Sequence, residues 1–231
     1  MRHRPDALML FAAGFGTRMA PLTAERPKPL IPVAGRALID HARDMAAGAG
    51  IGRIVANLHY LPDQLDRHLE GTGVTPVLET PDILDTGGGL RNALPHLGPG
   101  PVFTLNTDAV WTGPNPLTAL AAAWDPDRME ALLMLVAPPD ATGHAGAGDF
   151  RRDARGRLTR GPGLIYTGAQ IVAPDRLHDI PEPVFSLNRL WDMAAADGRL
   201  FGIVHTGGWC DVGRPQSIPL AEALLREATD V

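Results

Sequence analysis

Short, wholly apolar runs alternate along this chain with stretches in which apolar residues recur every three or four positions. "ALMLFAA" at residues 7–13 is an apolar run that ends in a glycine loop, which predicts a strand covered on both faces. "RALIDHARDMAAGAG" (36–50) has helical spacing and reaches Gly48 and Gly50, residues suited to a helix end. The rhythm then continues. Strands are expected at "RIVANL" (53–58), "VTPVLE" (74–79), "PVFTLNTD" (101–108) and "EALLMLVA" (130–137). Helices are expected at "LPDQLDRHL" (61–69), "PLTALAAAW" (116–124) and, opened by a glycine turn, "TGGGLRNALPHL" (86–97). Two late strands, "LIYTGAQIV" (164–172) and "LFGIVHT" (200–206), enclose a helix at "SLNRLWDMAAADG" (186–198), and "SIPLAEALLREA" (217–228) closes the chain. A β-α-β-α order of this kind implies an α/β fold: a central parallel sheet with helices on both faces and right-handed crossovers.

Between residues 138 and 163 the pattern lapses into Gly, Pro and charge, which reads as a loop or short hairpin. Its Arg151, Arg152, Arg155, Arg157 and Arg160 are expected to form a solvated surface.

Composition narrows the possibilities. The chain has 231 residues, 45% hydrophobic and 20% charged, enough for one compact domain spanning 1–231 with a sizeable core. A formal charge of −5 argues against a nucleic-acid partner, which needs a basic face. No apolar stretch approaches the roughly 20 residues that cross a membrane. The opening "MRHRPDALMLFAAG" is charged, but its apolar run is short and leads directly into the glycine loop, unlike a secretory leader. The lone Cys210 precludes an internal disulfide, fits a reducing cytoplasm, and is expected to be a small buried apolar residue. Of 21 basic residues twenty are Arg; the one ammonium is Lys28, between Pro27 and Pro29.

The loop "AAGFGTRMAPLTAERPKPL" is the chemical centre of the sequence. A dinucleotide fingerprint would need a third glycine where Met19 stands, and a P-loop would need a Lys directly after the second glycine. What remains is a strand-end loop of small residues, Ala12, Ala13, Gly14 and Gly16, through which backbone amides can approach phosphate oxygens. Thr17 and Arg18 follow it. Arg18 can grip a polyphosphate with its planar fork, and Lys28 can supply a point charge held by two prolines. Asp108 ends the strand "PVFTLNTD", and Asp211 follows "HTGGWC"; beside a polyphosphate loop they form a candidate Mg²⁺ pair. The eight His residues show no close pairing, against a zinc site.

The segment "AAGFGTRMAPLTAERPKPLIPVAGRALI" resembles the loop and lysine region of the sugar-1-phosphate nucleotidyltransferases. "LDTGGGLRNALP", "LNTDAVW", "GDF", "YTGAQIV" and "GGWCDVGRP" are similar to successive segments of the same family. The resemblance implies a three-layer Rossmann-like nucleotidyltransferase fold with a mostly parallel sheet. It implies catalytic roles for Arg18 and Lys28, Mg²⁺ on Asp108 and Asp211, and nucleoside triphosphate and sugar 1-phosphate as substrates. Within the family, "DTGGG", "LNTD" and "GWCDVG" resemble members that pass a uridylyl group from UTP to N-acetylmuramate α-1-phosphate in bacterial cell-wall recycling. Guanylyl transfer to mannose 1-phosphate is the nearest rival. The nucleotide is expected on Ala12, Ala13, Gly14, Gly16, Thr17, Glu79, Gly87, Gly88 and Asn106, with Gly89, Asn57 and His59 as neighbours. The acceptor is expected on Gly148, Asp149, Thr167, Gly168, Asn188 and Trp209, beside Phe150 and Tyr166. Many relatives carry a second lysine at the acceptor phosphate. This chain has none, and Arg151 or Arg189 would take its place. A cytoplasmic monomer or small homo-oligomer is the expected form.

Overall fold

The computed structural model describes residues 4–229. The basic opening of the N-terminal segment (1–3) and the final residues 230–231 lie outside the described residues. Seven strands form the central sheet: β1 (Ala7–Phe11), β2 (Arg53–Leu58), β3 (Val74–Leu78), β4 (Val102–Asn106), β5 (Ala131–Val136), β6 (Ile165–Val172) and β7 (Leu200–Val204), in the order β7-β5-β6-β4-β1-β2-β3. All neighbouring pairs are parallel except those of β6, which runs antiparallel to both β4 and β5. The fold is thus α/β with a mostly parallel sheet, as the strand-helix rhythm implies.

The exception has a local cause. Residues 138–163 supply only a single 3₁₀ turn, Pro138–Asp140, and no α-helix to carry the chain back across the sheet, so β6 starts from the edge at which β5 ended and must run the other way. Part of that segment instead forms a hairpin, Phe150–Arg152 against Leu158–Arg160.

Six helices complete the layers: α1 (Leu38–Gly48), α2 (Pro62–Leu69), α3 (Asp85–Leu97), α4 (Pro116–Ala123), α5 (Asn188–Ala196) and α6 (Ser217–Thr229). The all-apolar β5 shows why both faces are needed. Leu132, Met134 and Val136 pack into one layer with α1, α2 and α4, while Ala131, Leu133 and Leu135 pack into the other with α3 and α5. At the end of α1, the Ile51 and Gly50 amides donate to Ala46 and Ala47, a Schellman stop with Gly50 at φ +69°. Sequence spacing set this helix two residues too long at its start, because Arg36–Ala37 pair with Pro32–Val33 in a small hairpin.

A second, three-stranded sheet was not foreseen. Trp209–Asp211 pairs antiparallel with Ala109–Trp111 and parallel with Ala141–Thr142. Two- and three-residue strands leave too little periodicity to see in a sequence. This sheet packs against α6 around Met19, Ile31, Val33, Val110, Cys210 and Val212. Met19, the residue that spoils the dinucleotide fingerprint, is fully buried there and pins the glycine loop to this sheet. Met19→Ala is expected to lower unfolding free energy by about 2–5 kcal/mol in a urea titration; an unchanged midpoint would show that the anchor is dispensable.

Candidate functional site

The sheet register builds the site before any side chain is considered. Phe11 lies level with Asn57 on one side and Asn106 on the other, so the carboxyl ends of β2, β1 and β4 form one rim. Ligands of open α/β sheets bind at such a rim. Above it a cleft of about 310 Å³ is bordered by the loop after β1, by Lys28, by Ile83, Asp85 and Thr86, and by Asp108.

Gly16 sits at φ +63°, and a Cβ there would come within 2.9 Å of both the Lys28 Cβ and the Thr23 methyl. Glycine is thus required for the turn and for the close approach that holds the lysine. Thr23 Oγ1 donates to the Gly16 carbonyl at 3.0 Å, tightening the same turn. Among the described residues, the amides of Ala13, Gly14, Phe15, Gly16, Thr17 and Arg18 donate to no protein acceptor, whereas the Ala12 amide is bound by Asn57 Oδ1 at 2.8 Å. Six consecutive free N–H groups beside a cleft form an anion cradle.

Lys28 occupies a single 3₁₀ turn, Lys28–Leu30, directly after Pro27. Its ammonium donates to Asp108 Oδ2 at 2.7 Å, across 80 positions of sequence, with the lysine side chain only 11% exposed. Asp108 and Asp211 are brought together by the small sheet, in which Asp211 pairs with Ala109 and the Val212 amide donates to the Asp108 carbonyl at 2.8 Å. Arg18 reaches the same spot: a Cβ on Gly213 would lie 3.0 Å from Asp211 Oδ1 and 3.4 Å from the Arg18 Nη1. Burial raises the Asp211 pKa and the charge of Asp108 raises it further, with Lys28 and Arg18 opposing both effects. Two carboxylates with no third His, Cys, Asp or Glu grouped beside them, among the described residues, are a poor zinc site. They suit a hard divalent cation that takes its other oxygens from substrate phosphates.

A second chamber of about 300 Å³ continues from the first, sharing Phe11, Asp85, Thr86 and Asn106 with it. Asp149, Arg160, Ser186, Asn188 and Trp191 line it. Asp149 Oδ2 accepts from the Tyr166 amide at 2.8 Å, and Asn188 bonds Arg160 and Ser186. Burial pushes the Tyr166 phenol well above its usual range and the charge of Asp108 adds to the shift, so Tyr166 enters this wall as a neutral hydroxyl. A bulge in β6 between Tyr166 and Gln170 contains Thr167 and Gly168. A Cβ on Gly168 would strike the Asn106 side chain at 2.7 Å, so the bulge decides where Asn106 lies.

Several expected contacts fall elsewhere. Gly87, Gly88 and Gly89 are not a turn opening a helix; they lie inside the first turns of α3, buried. The Gly87 and Gly88 amides already donate to the Phe185 carbonyl, at 2.9 and 3.0 Å, and neither borders the cleft. Glu79 is 1% exposed, with one oxygen on Asn57 Nδ2 at 2.7 Å and the other on the Leu84 amide at 2.8 Å. It orients Asn57, and hence Ala12, from behind the rim. His59 bonds the Glu79 carbonyl and meets the edge of Phe15, away from the cleft. Gly148 supports the hairpin, where a Cβ would collide with the Gly163 carbonyl. Thr167 is buried, donating to the Met134 carbonyl, and Trp209 is a core residue whose indole donates to the Thr167 carbonyl at 3.2 Å. Arg151 and Arg189 border neither chamber, and Arg189 is paired with Glu182. Arg160, assigned from sequence to a solvated surface, is the one of the five hairpin arginines that enters a chamber. Asp85 was also missed; it holds φ +58° at the mouth of both chambers, a backbone region rare outside glycine. Cys210 is buried as expected, and burial pushes its thiol up to about 12, far from reactivity.

The wall of free amides facing a lysine, an arginine and two aspartates suits a polyphosphate by its chemistry. Residues 8–198 match the MobA-like NTP transferase domain. The chain belongs to that family. It is 42% identical over 242 residues to the N-acetylmuramate alpha-1-phosphate uridylyltransferase of Caulobacter vibrioides, covering 99% of this chain and 100% of that protein. The protein of the same name from Neisseria meningitidis serogroup B is 33% identical, over 94% of this chain and 96% of its own. Among solved structures, HddC from Yersinia pseudotuberculosis complexed with GMP-PN superposes with a TM-score of 0.77 at 20% identity, over 95% of this chain and 99% of that one, a likeness of fold. The chain is a nucleotidyltransferase with a Rossmann-like sheet. No helix among the described residues is long and apolar enough to cross a membrane.

Asn57→Ala would leave the Ala12 amide without its acceptor and the buried Glu79 carboxylate with only the Leu84 amide. It is expected to cost about 1–3 kcal/mol of stability by calorimetry and to weaken triphosphate binding through the displaced loop.

Proposed function

We propose that the protein transfers the uridylyl group of UTP to N-acetylmuramate α-1-phosphate, releasing pyrophosphate, as part of the reuse of cell-wall sugars. The observation that carries this reading is the Lys28–Asp108 contact beside Asp211 and Arg18, at the mouth of six free amides. The names and near-full-length similarity of the two uridylyltransferases support the choice of base and sugar.

In this reaction an oxygen of the acceptor phosphate forms a bond to the α-phosphorus of UTP while the bond from that phosphorus to the β-phosphate bridging oxygen breaks. The electron pair leaves with pyrophosphate. The attacking group is already an anion, so no side chain has to remove a proton. The barrier arises instead from bringing two polyanions together, which positioning and fixed positive charge can lower. Amides 13–18 and Arg18 bind the departing pyrophosphate. Lys28 exchanges part of its bond to Asp108 for the α-phosphate, meeting negative charge as it builds. Asn106, at the wall shared by both chambers, faces the junction of the two substrates. Asp108 and Asp211 would hold Mg²⁺, which when bound supplies charge neutralisation between the phosphates.

Pyrophosphate release measured over a panel of nucleoside triphosphates and sugar 1-phosphates, with and without Mg²⁺, tests the proposal. UTP with N-acetylmuramate 1-phosphate is expected to give the highest kcat/KM; a preference for GTP and mannose 1-phosphate would replace this reading with guanylyl transfer. Lys28→Ala is expected to reduce kcat about a hundred- to a thousandfold with the circular dichroism spectrum unchanged. Asp108→Asn is expected to remove the stimulation by Mg²⁺, and a wild-type Mg²⁺ titration in that variant would refute its role as a ligand.

A further inference from the structure

The second chamber has one cation, and it is not where an acceptor phosphate has to be. The phosphate must reach Lys28 and Asp108, which border only the first chamber, whereas Arg160 borders only the second. The ring of Tyr166, which feels the charge of Asp108, lies 4.8 Å from the ring of Trp191. The Arg160 guanidinium rests against the same Trp191 ring, at 5.3 Å, and against that of Phe150, at 4.8 Å, and borders the second chamber alone. A sugar whose phosphate meets Lys28 would thus present its other end to Arg160.

Arg160 is held as a receptor is held. Its Nε and Nη2 donate to Asp192 Oδ1, both at 3.1 Å, and Nη2 also donates to Asn188 Oδ1 at 2.8 Å. With that edge fixed and two aromatic rings against it, the guanidinium plane has little freedom left. The Nη1 group donates to no other described residue. Asp149, on the same wall, offers an acceptor suited to a sugar hydroxyl, so the chamber separates an acceptor-reading carboxylate from an anion-reading guanidinium.

We infer that Arg160 is a specificity-determining residue that selects an acceptor sugar bearing a carboxylate, which it binds through its free Nη1 edge. The inference rests on the uridylyl-transfer reading and names the part of the acceptor that this chain reads apart from the phosphate. An uncharged sugar of similar size would leave the guanidinium to solvent and forgo a charge-assisted hydrogen bond.

The test uses the full-length enzyme with UTP and Mg²⁺ and three acceptors: N-acetylmuramate 1-phosphate, the same compound with its carboxylate amidated, and N-acetylglucosamine 1-phosphate. For the wild type, kcat/KM is expected to fall about ten- to a hundredfold on amidation, chiefly through the KM for the acceptor. Arg160→Gln is expected to erase that preference, and Arg160→Lys, which keeps the charge and loses the fork, to restore part of it. Wild-type enzyme that uses acid and amide equally overturns the inference, as does an Arg160→Gln variant that loses the same factor with all three acceptors, since Arg160 would then serve the phosphate or the fold. The wild-type comparison decides the matter even if the variants fail to fold. UDP-sugar formed without discrimination sinks the role of Arg160 alone; no UDP-sugar from any acceptor sinks the uridylyl-transfer reading with it.

Discussion

A single ammonium 2.7 Å from one carboxylate, with a second carboxylate on the adjoining strand, is the arrangement on which the rest of the molecule depends. Left alone, Asp108 and Asp211 would repel one another, and burial first, with the charge of Asp108 second, pushes the Asp211 carboxyl above its usual range. Lys28 and Arg18 offset it. The protein therefore holds its charges in a state that added phosphate and a divalent cation can rearrange, since each partner now occupied by a side chain is one that substrate can take over. A chain that uses arginine for every other basic position keeps its one ammonium here, where a compact point charge rather than a planar fork meets the Asp108 carboxylate.

The backbone does most of the positioning. Phe11, Asn57 and Asn106 are level because their strands are parallel and in register, and their polar ends converge with no special local conformation. Asp211 comes from a different direction, on a short strand whose pairing with Ala109–Trp111 joins parts of the chain about a hundred residues apart in sequence. Gly16 and Met19 tie the phosphate loop to both: the glycine admits the lysine stem, and the methionine sinks into the small sheet that carries Asp211.

What the sequence revealed follows from this division. The seven main strands and six helices were legible because each is an apolar run or a periodic segment long enough to show its period. The loop and lysine stood out through their glycine, arginine and lysine types, and the structure brings them to one cleft. The three-residue strands were not, since their pairing is decided by tertiary contacts. Nor was the fate of Glu79, which looks like a rim carboxylate by its place after a strand, yet lies 1% exposed because Asn57 and the Leu84 amide draw it inward. Gly87 and Gly88 misled for a related reason: a glycine run suggests a turn, but here the missing side chains make room for Phe185 and the Pro183 carbonyl against α3. Arg160 was hidden by its company. Five arginines in one hairpin look alike in sequence, and only strand alternation together with Phe150 and Trp191 lays one of them, still 41% exposed, along the second chamber.

The partition between the two chambers is thin. Phe11, Asp85, Thr86 and Asn106 face both sides of it, so a shift of any one of them changes the shape of both chambers. Asn106 in turn rests against the spot where a β6 side chain would have been, its place fixed by the one residue, Gly168, that has none. The wall common to the two chambers is thereby set by a bulge on the reversed strand of the central sheet.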